Sequence, residues 1–240
     1  MYEVRFYRDW VSKSGLVSFE AAVGESDLMI RARRDLRGLA EDLLREAREQ
    51  VEHEIARRPE FGDSLSPVTM PPDARPVVRD MLEASRTFDV GPMAAVAGAV
   101  ARFVGEGLLA KSREVIVENG GDIFLKMDRP VELGLYAGEE SLFSGGTRLR
   151  VDSCGRPLGI CTSSGTVGHS RSFGKADAVV TVAVSAALAD AAATAVCNRV
   201  QSPEDVEDAL KEEQERGLLR GLLIVIGKRL GAYGDIEILT

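Results

Sequence analysis

The chain has 240 residues, enough for a sizeable core in one large domain or two small ones. Its 45% hydrophobic and 28% charged residues suit a globular protein, and a net charge of −8 argues against nucleic acid or an anionic membrane as the main partner. Cys154, Cys161 and Cys197 form no metal-type spacing, the opening MYEVRFYRDW lacks the apolar run of a signal peptide, and charges interrupt the Ala-rich runs, so a reduced, cytoplasmic protein without a membrane span is expected.

Apolar residues alternate or cluster over 2–8, 16–23 and 27–32, which predicts three opening strands separated by turns at 12–15 and 24–26. Leu36, Leu39, Ala40, Leu43, Leu44, Ala47, Val51 and Ile55 then recur at helical spacing, predicting a long helix with a solvated charged face that ends near Pro59. Five of the nine prolines fall in 59–76, which reads as an extended connection. A second helix is expected over 74–86.

Gly91-Pro92 opens a third helix that runs almost without polar side chains to Arg102. Ala94, Ala95, Ala97, Gly98, Ala99 and Ala101 let another element approach it closely, so it reads as a core helix. The free N–H groups at its start suit an anion, which makes Gly91 a candidate contact.

The second half predicts strands at 114–118, 122–127, 131–136, 147–151, 157–161 and 177–184. A helix over 186–199 follows with Ser185 as N-cap, then an acidic helix over 203–216 and closing strands at 220–226 and 235–239. Hairpin-like connections, with the helices in blocks, predict an α+β fold of antiparallel sheets packed with helices.

Three segments carry candidate chemistry. Asn119-Gly120-Gly121-Asp122 reads first as a hairpin turn; the second reading is bare backbone flanked by two side chains able to bond a ligand's polar edges. Thr162, Ser163, Ser164 and Gly165, continuing to His169, concentrate hydroxyls and glycines after an apolar strand, which suits phosphate or ribose contact. Cys161 and His169 offer a thiol and an imidazole, although a small buried thiol at a strand end is the commoner arrangement. Asp190 and Thr194 share one face of the Ala-rich helix, where an acid needs a partner. A Mg²⁺ held by one or two carboxylates plus ligand phosphates is one such partner, and solvent is the other.

VTVAVSAALADAAATAV, over 180–196, resembles the C-terminal signature of the ApbE superfamily, the FAD:protein FMN transferases. ENGGDIFL and CTSSG are similar to that family's Gly-Gly and T-S-G segments, and FDVGPMAAVAGAVA to its D-L-G-x-x-A-K-G segment. The blocks VGPMAAVAGA, VENGGDI, CTSSGTVGHS and FGKADA resemble still more closely an uncharacterised ApbE-like family.

The resemblance implies an ApbE-like, T-fold-like domain over 1–240, single or in two intimately packed halves. It implies Mg²⁺ on Asp190 and Thr194, and FAD or a related nucleotide as the small phosphorylated ligand. Three features depart from the transferases. Val96-Ala97-Gly98 occupies the neighbourhood of the A-K-G lysine, HSRSFGKAD stands in place of the H-x-x-D-P-x-T-G loop, and the opening residues carry no lipoprotein signal. Two functions follow as expectations: a Mg²⁺-dependent enzyme of the ApbE type, or a non-catalytic binding or assembly protein on the same scaffold. A homo-oligomer is compatible with either.

Overall fold

The computed structural model describes residues 15–138, 141–144, 146–166 and 172–239. The strand expected over 2–8 lies outside these residues, as does His169. The described elements are β1 (Val17–Val23), β2 (Ser26–Ala32), α1 (Arg37–Arg57), α2 (Pro59–Asp63), α3 (Pro76–Phe88), a 3-10 turn (Pro92–Ala95) and α4 (Val96–Leu109). They continue with β3 (Val115–Asn119), β4 (Asp122–Lys126), β5 (Val131–Gly134), β6 (Arg148–Val151), β7 (Leu158–Ser163), β8 (Ala178–Ala183) and α5 (Ala186–Arg199). Last come α6 (Asp205–Arg216), β9 (Gly221–Ile226), β10 (Arg229–Gly234) and β11 (Glu237–Leu239).

Eight strands form one sheet in the order β1-β2-β3-β4-β7-β8-β9-β10, and every neighbouring pair is antiparallel. A smaller sheet, β11-β6-β5, covers part of one face. The period-two alternation of the strands separates two cores. Phe124, Val179, Leu222 and Ile224 pack toward the helices, whereas Leu125, Val180, Leu223 and Val225 pack toward the small sheet. The α+β expectation therefore holds, with helices confined to one face of the large sheet.

Three sequence expectations need correction. Pro59 starts the helical turn α2 instead of an extended segment, because proline suits the first helical position. The closing strand expected over 235–239 is β11, which crosses to β6 in the small sheet, and it is preceded by a strand outside the expected set, β10, which pairs with β9. Gly231 and Gly234 hide β10 from a β-propensity reading, yet a Cβ at Gly231 would lie 2.6 Å from Leu210 of α6. Finally, Pro92–Leu109 is long and apolar enough to cross a membrane by length and composition. Half of it is buried as the core helix, and Arg102 on it pairs with Asp80 and Glu106.

The Ala-rich character of α5 has a direct steric reason. A Cβ at Gly98 would meet the Ala186 carbonyl oxygen at 2.2 Å, and one at Gly159 would meet Ala186 Cα at 2.3 Å. Helix α5 is thus wedged between the start of α4 and strand β7, and only small side chains fit on either side. Ser185 precedes α5 in extended conformation, but its hydroxyl does not cap the helix; it lies 3.2 Å from Arg102 Nη1.

Candidate functional site

Residues 190, 194 and 198 of α5 lie on one helix face, and each ties down a different segment. Asp190 Oδ2 accepts the Gly98 N–H at 2.9 Å, at the start of α4. Helix α4 has no side-chain cap of its own, so Asp190 satisfies one of its free N–H groups from another element. Thr194 Oγ1 lies 3.1 Å from Ser163 Oγ at the end of β7. Asn198 Oδ1 accepts the Phe173 N–H at 2.8 Å.

Strand β7 presents Cys161 and Ser163 to this helix face, by the same two-residue period that turns Gly159 toward it. Thr162 lies between them and faces away, toward the small-sheet side of β7. Ser164 is half-buried and Gly165 exposed just beyond the strand. A Cβ at Gly165 would sit 2.0 Å from the Gly174 carbonyl oxygen, so the two limbs of this loop touch through backbone.

Gly120 and Gly121 form the two-residue turn of the β3–β4 hairpin, at φ +67° and +106°. Both are open around the Cα, and the turn is braced by Glu118 Oε1 accepting the Gly121 N–H at 2.9 Å. Asn119 Nδ2 donates to the Ala97 carbonyl at 3.1 Å, which joins this hairpin to the start of α4. Gly91, at the entry to the 3-10 turn, lies close against the 64–65 backbone: a Cβ there would meet the Ser64 carbonyl oxygen at 1.9 Å.

Asp122 shares the helix-facing side of β4 with Phe124, and like Asp190 it is only 8% exposed. Its Oδ1 is buried with no hydrogen-bond partner. Burial, and then the charge of Asp190, push the Asp122 carboxyl well above the ordinary carboxylate range. Burial likewise raises Asp190 to about 7, against the opposing pull of the Gly98 and Ala97 N–H groups. Among the described residues, neither carboxylate has an arginine, lysine or histidine within ion-pair reach.

Cys161 is fully buried, and its thiol lies 3.3 Å from the Ala186 carbonyl. Burial, reinforced by the charges of Asp122 and Asp190, raises it well above the usual thiol value, which disfavours a thiolate. It is the small buried thiol of a strand end. The second carboxylate, Asp122, stood in the sequence as a turn residue. Its membership of the Asp190 cluster becomes visible only through the β4–β7 pairing, which sets Ile123 opposite Ile160.

The family described as AbpE bacteria matches residues 8–222. The chain is 42% identical over 219 residues to a UPF0280 protein of Methanothermobacter thermautotrophicus, covering 89% of this chain and 84% of the relative. It is also 42% identical over 201 residues to a UPF0280 protein of Methanocaldococcus jannaschii, covering 82% of each. Among solved structures, the flavin transferase ApbE from Vibrio cholerae superposes with a TM-score of 0.58 at 14% identity, over 92% of this chain and 97% of that one. The apo flavinyl transferase ApbE from Pseudomonas stutzeri gives 0.55 at 14% identity, over 91% and 93%. At such low identity these two structures establish the ApbE-like fold, while the sequence matches establish kinship: the chain belongs to the AbpE bacteria family, with UPF0280 proteins among its relatives.

Proposed function

We propose that the protein binds a phosphorylated, flavin- or nucleotide-like ligand together with Mg²⁺ in the cleft between the Gly120-Gly121 turn, the 162–165 segment and the Asp190/Thr194 face of α5. The observation that carries this reading is the pair of buried carboxylates, Asp122 and Asp190, with no cationic side chain in ion-pair reach among the described residues and one oxygen orphaned. Buried carboxylates ordinarily gain a cation or a hydrogen-bond donor, and a hard divalent ion with oxygen ligands fits this set.

No group of three or more His, Cys, Asp or Glu among the described residues is arranged to hold a metal alone. A Mg²⁺ site needs only one or two carboxylates and completes its shell with water and ligand phosphates. Bound Mg²⁺ would neutralise phosphate charge. The chain's own contribution is positional. Asp190 and Thr194 would hold the ion, Asp190 being aimed by Gly98 N–H and Thr194 by Ser163. Gly120 and Gly121 would let backbone approach the ligand, with Asn119 and Asp122 at its polar edges. The hydroxyls of Ser163 and Ser164 would take phosphate or ribose oxygens.

Calorimetric titration with FAD, FMN and ADP, each with and without Mg²⁺, tests this. The expected result is Mg²⁺-dependent binding that Asp190→Ala abolishes. Undiminished binding by that variant would sink the assignment.

One observation favours binding without FMN transfer. Ala97 stands in the neighbourhood where the resemblance leads one to expect a lysine, and its carbonyl accepts Asn119 Nδ2. Incubation with FAD and an acceptor peptide separates the two: a flavinylated product in the mass spectrum identifies a transferase, whereas unmodified peptide beside Mg²⁺-dependent binding supports the binding protein.

A further inference from the structure

The polar face of α5 does not end at Thr194. Asn198, one turn further on and roughly 12 Å along the axis from Asp190, is used to hold a loop. Its Oδ1 accepts the Phe173 N–H at 2.8 Å and Ser172 Oγ at 3.2 Å. Gln201 Nε2 donates to the Phe173 carbonyl at 3.0 Å, so both backbone polar groups of Phe173 are occupied. The next two residues are pinned as well. A Cβ at Gly174 would meet the Cys197 carbonyl oxygen at 1.6 Å, and Lys175 N–H donates to the Val200 carbonyl at 2.8 Å.

With its backbone pressed against the end of α5, Phe173 directs its side chain outward and is 62% exposed. Among the described residues it is the one aromatic of the exposed large hydrophobics. Three backbone hydrogen bonds, at the Phe173 N–H, the Phe173 carbonyl and the Lys175 N–H, fix the point from which this exposed ring projects. An exposed aromatic ring on an anchored backbone has only two side-chain torsions to order when a planar ligand stacks on it. Its position at the far end of a stripe whose near end is the proposed phosphate and Mg²⁺ site matches a ligand with phosphate at one end and a flat ring system at the other.

We propose that Phe173 is the stacking platform for the heterocyclic ring of the bound ligand, isoalloxazine or adenine, and that Asn198 is the positioning residue that presents it. This rests on the phosphate and Mg²⁺ reading of the Asp190 end. Its experiment therefore uses three probes with Mg²⁺: inorganic pyrophosphate, which has no ring, ADP, which carries adenine alone, and FMN, which carries isoalloxazine alone.

Phe173→Ala should weaken whichever ring-bearing probe uses the platform by about tenfold and change pyrophosphate affinity less than twofold, while Phe173→Trp restores binding. If FMN is the stacked probe, its fluorescence should fall on binding to the wild type and recover in Phe173→Ala. Asn198→Ala should repeat the pattern of Phe173→Ala at unchanged melting temperature. Equal affinities of wild type and Phe173→Ala for both nucleotides, or an equal loss for pyrophosphate, would overturn the platform while leaving the Mg²⁺ site intact. Absence of Mg²⁺-dependent binding of all three probes to the wild type would overturn the underlying reading, and the platform with it.

Discussion

Asp190 Oδ2 accepts the Gly98 N–H across 92 residues of sequence, so a carboxylate on α5 caps the start of α4. This single contact joins the two helices on which the candidate site is built. It gives Asp190 a structural role beside the proposed cation-binding one, and substitutions can separate the two.

Asp190→Asn keeps an oxygen for Gly98 N–H but loses the charge. The metal-free variant should melt at or above the wild-type temperature near pH 8, because a buried charge with no counter-charge among the described residues has been removed. Addition of MgCl₂ should raise the wild-type melting temperature and leave the variant unmoved. Asp190→Ala should in addition lose the cap, at a cost of about 1 kcal/mol. A Mg²⁺ response that persists in Asp190→Asn would remove Asp190 from the cation site.

Gly98→Ala tests the close approach. The added Cβ would meet the Ala186 carbonyl oxygen at 2.2 Å and Asp190 Cβ at 2.9 Å, and the nearer contact is backbone that has no rotamer to yield. Urea denaturation should show a loss of about 1–3 kcal/mol from the overpacking. Loss of the Mg²⁺ response should accompany it, since the clash displaces Asp190. Wild-type stability in Gly98→Ala would contradict the packing described for α4 and α5.

Stability should depend on pH in a defined direction. Burial raises Asp190 from 3.8 to about 7, so the folded state holds its proton more tightly than the unfolded chain. The stability from this group is fully present below about pH 4 and is lost as pH rises toward 7, by a few kcal/mol in total. Other carboxylates, such as Asp73 and Asp205, are shifted downward and act in the opposite sense. The informative quantity is therefore the difference between wild type and Asp190→Asn, which should grow in the variant's favour from pH 4 to pH 7 without metal. Saturating Mg²⁺ should cancel that trend. A difference independent of pH would mean that Asp190 titrates normally.

Thiol reactivity separates the three cysteines. Cys154 is exposed, whereas Cys161 and Cys197 are buried, and burial raises both buried thiols above the ordinary value. An aromatic disulfide reagent at neutral pH should titrate one thiol rapidly and the other two only on unfolding. Fast labelling of Cys161 would revive a nucleophilic role for it.

Much of this organisation was legible in the chain. Helical periodicity located α1, and the run of small residues with Asp190 and Thr194 located α5 to the residue, because local spacing alone decides which side chains share a helix face. Gly120-Gly121 marked the β3–β4 hairpin because a two-residue turn needs positive φ. Strand β10 escaped because Gly231 answers to Leu210 and Val206 of α6 and Gly234 to the Arg220 backbone, contacts with no local signature. The loop residues Thr162 and Ser163 looked equivalent in sequence, and only strand pairing shows that Ser163 turns to α5 while Thr162 turns away.

The sequence by itself thus determined most of the secondary elements, the small-residue surfaces and the acid–hydroxyl pair on α5, all set by interactions within a few residues along the chain. The tertiary structure decided what those residues meet: Asp190 with the start of α4, Asp122 as a second buried carboxylate, Asn198 with Phe173. Burial, and with it the raised pKa of both carboxyl groups, is a property of the assembled layers. No pattern of neighbours along the chain encodes the loss of water that creates it.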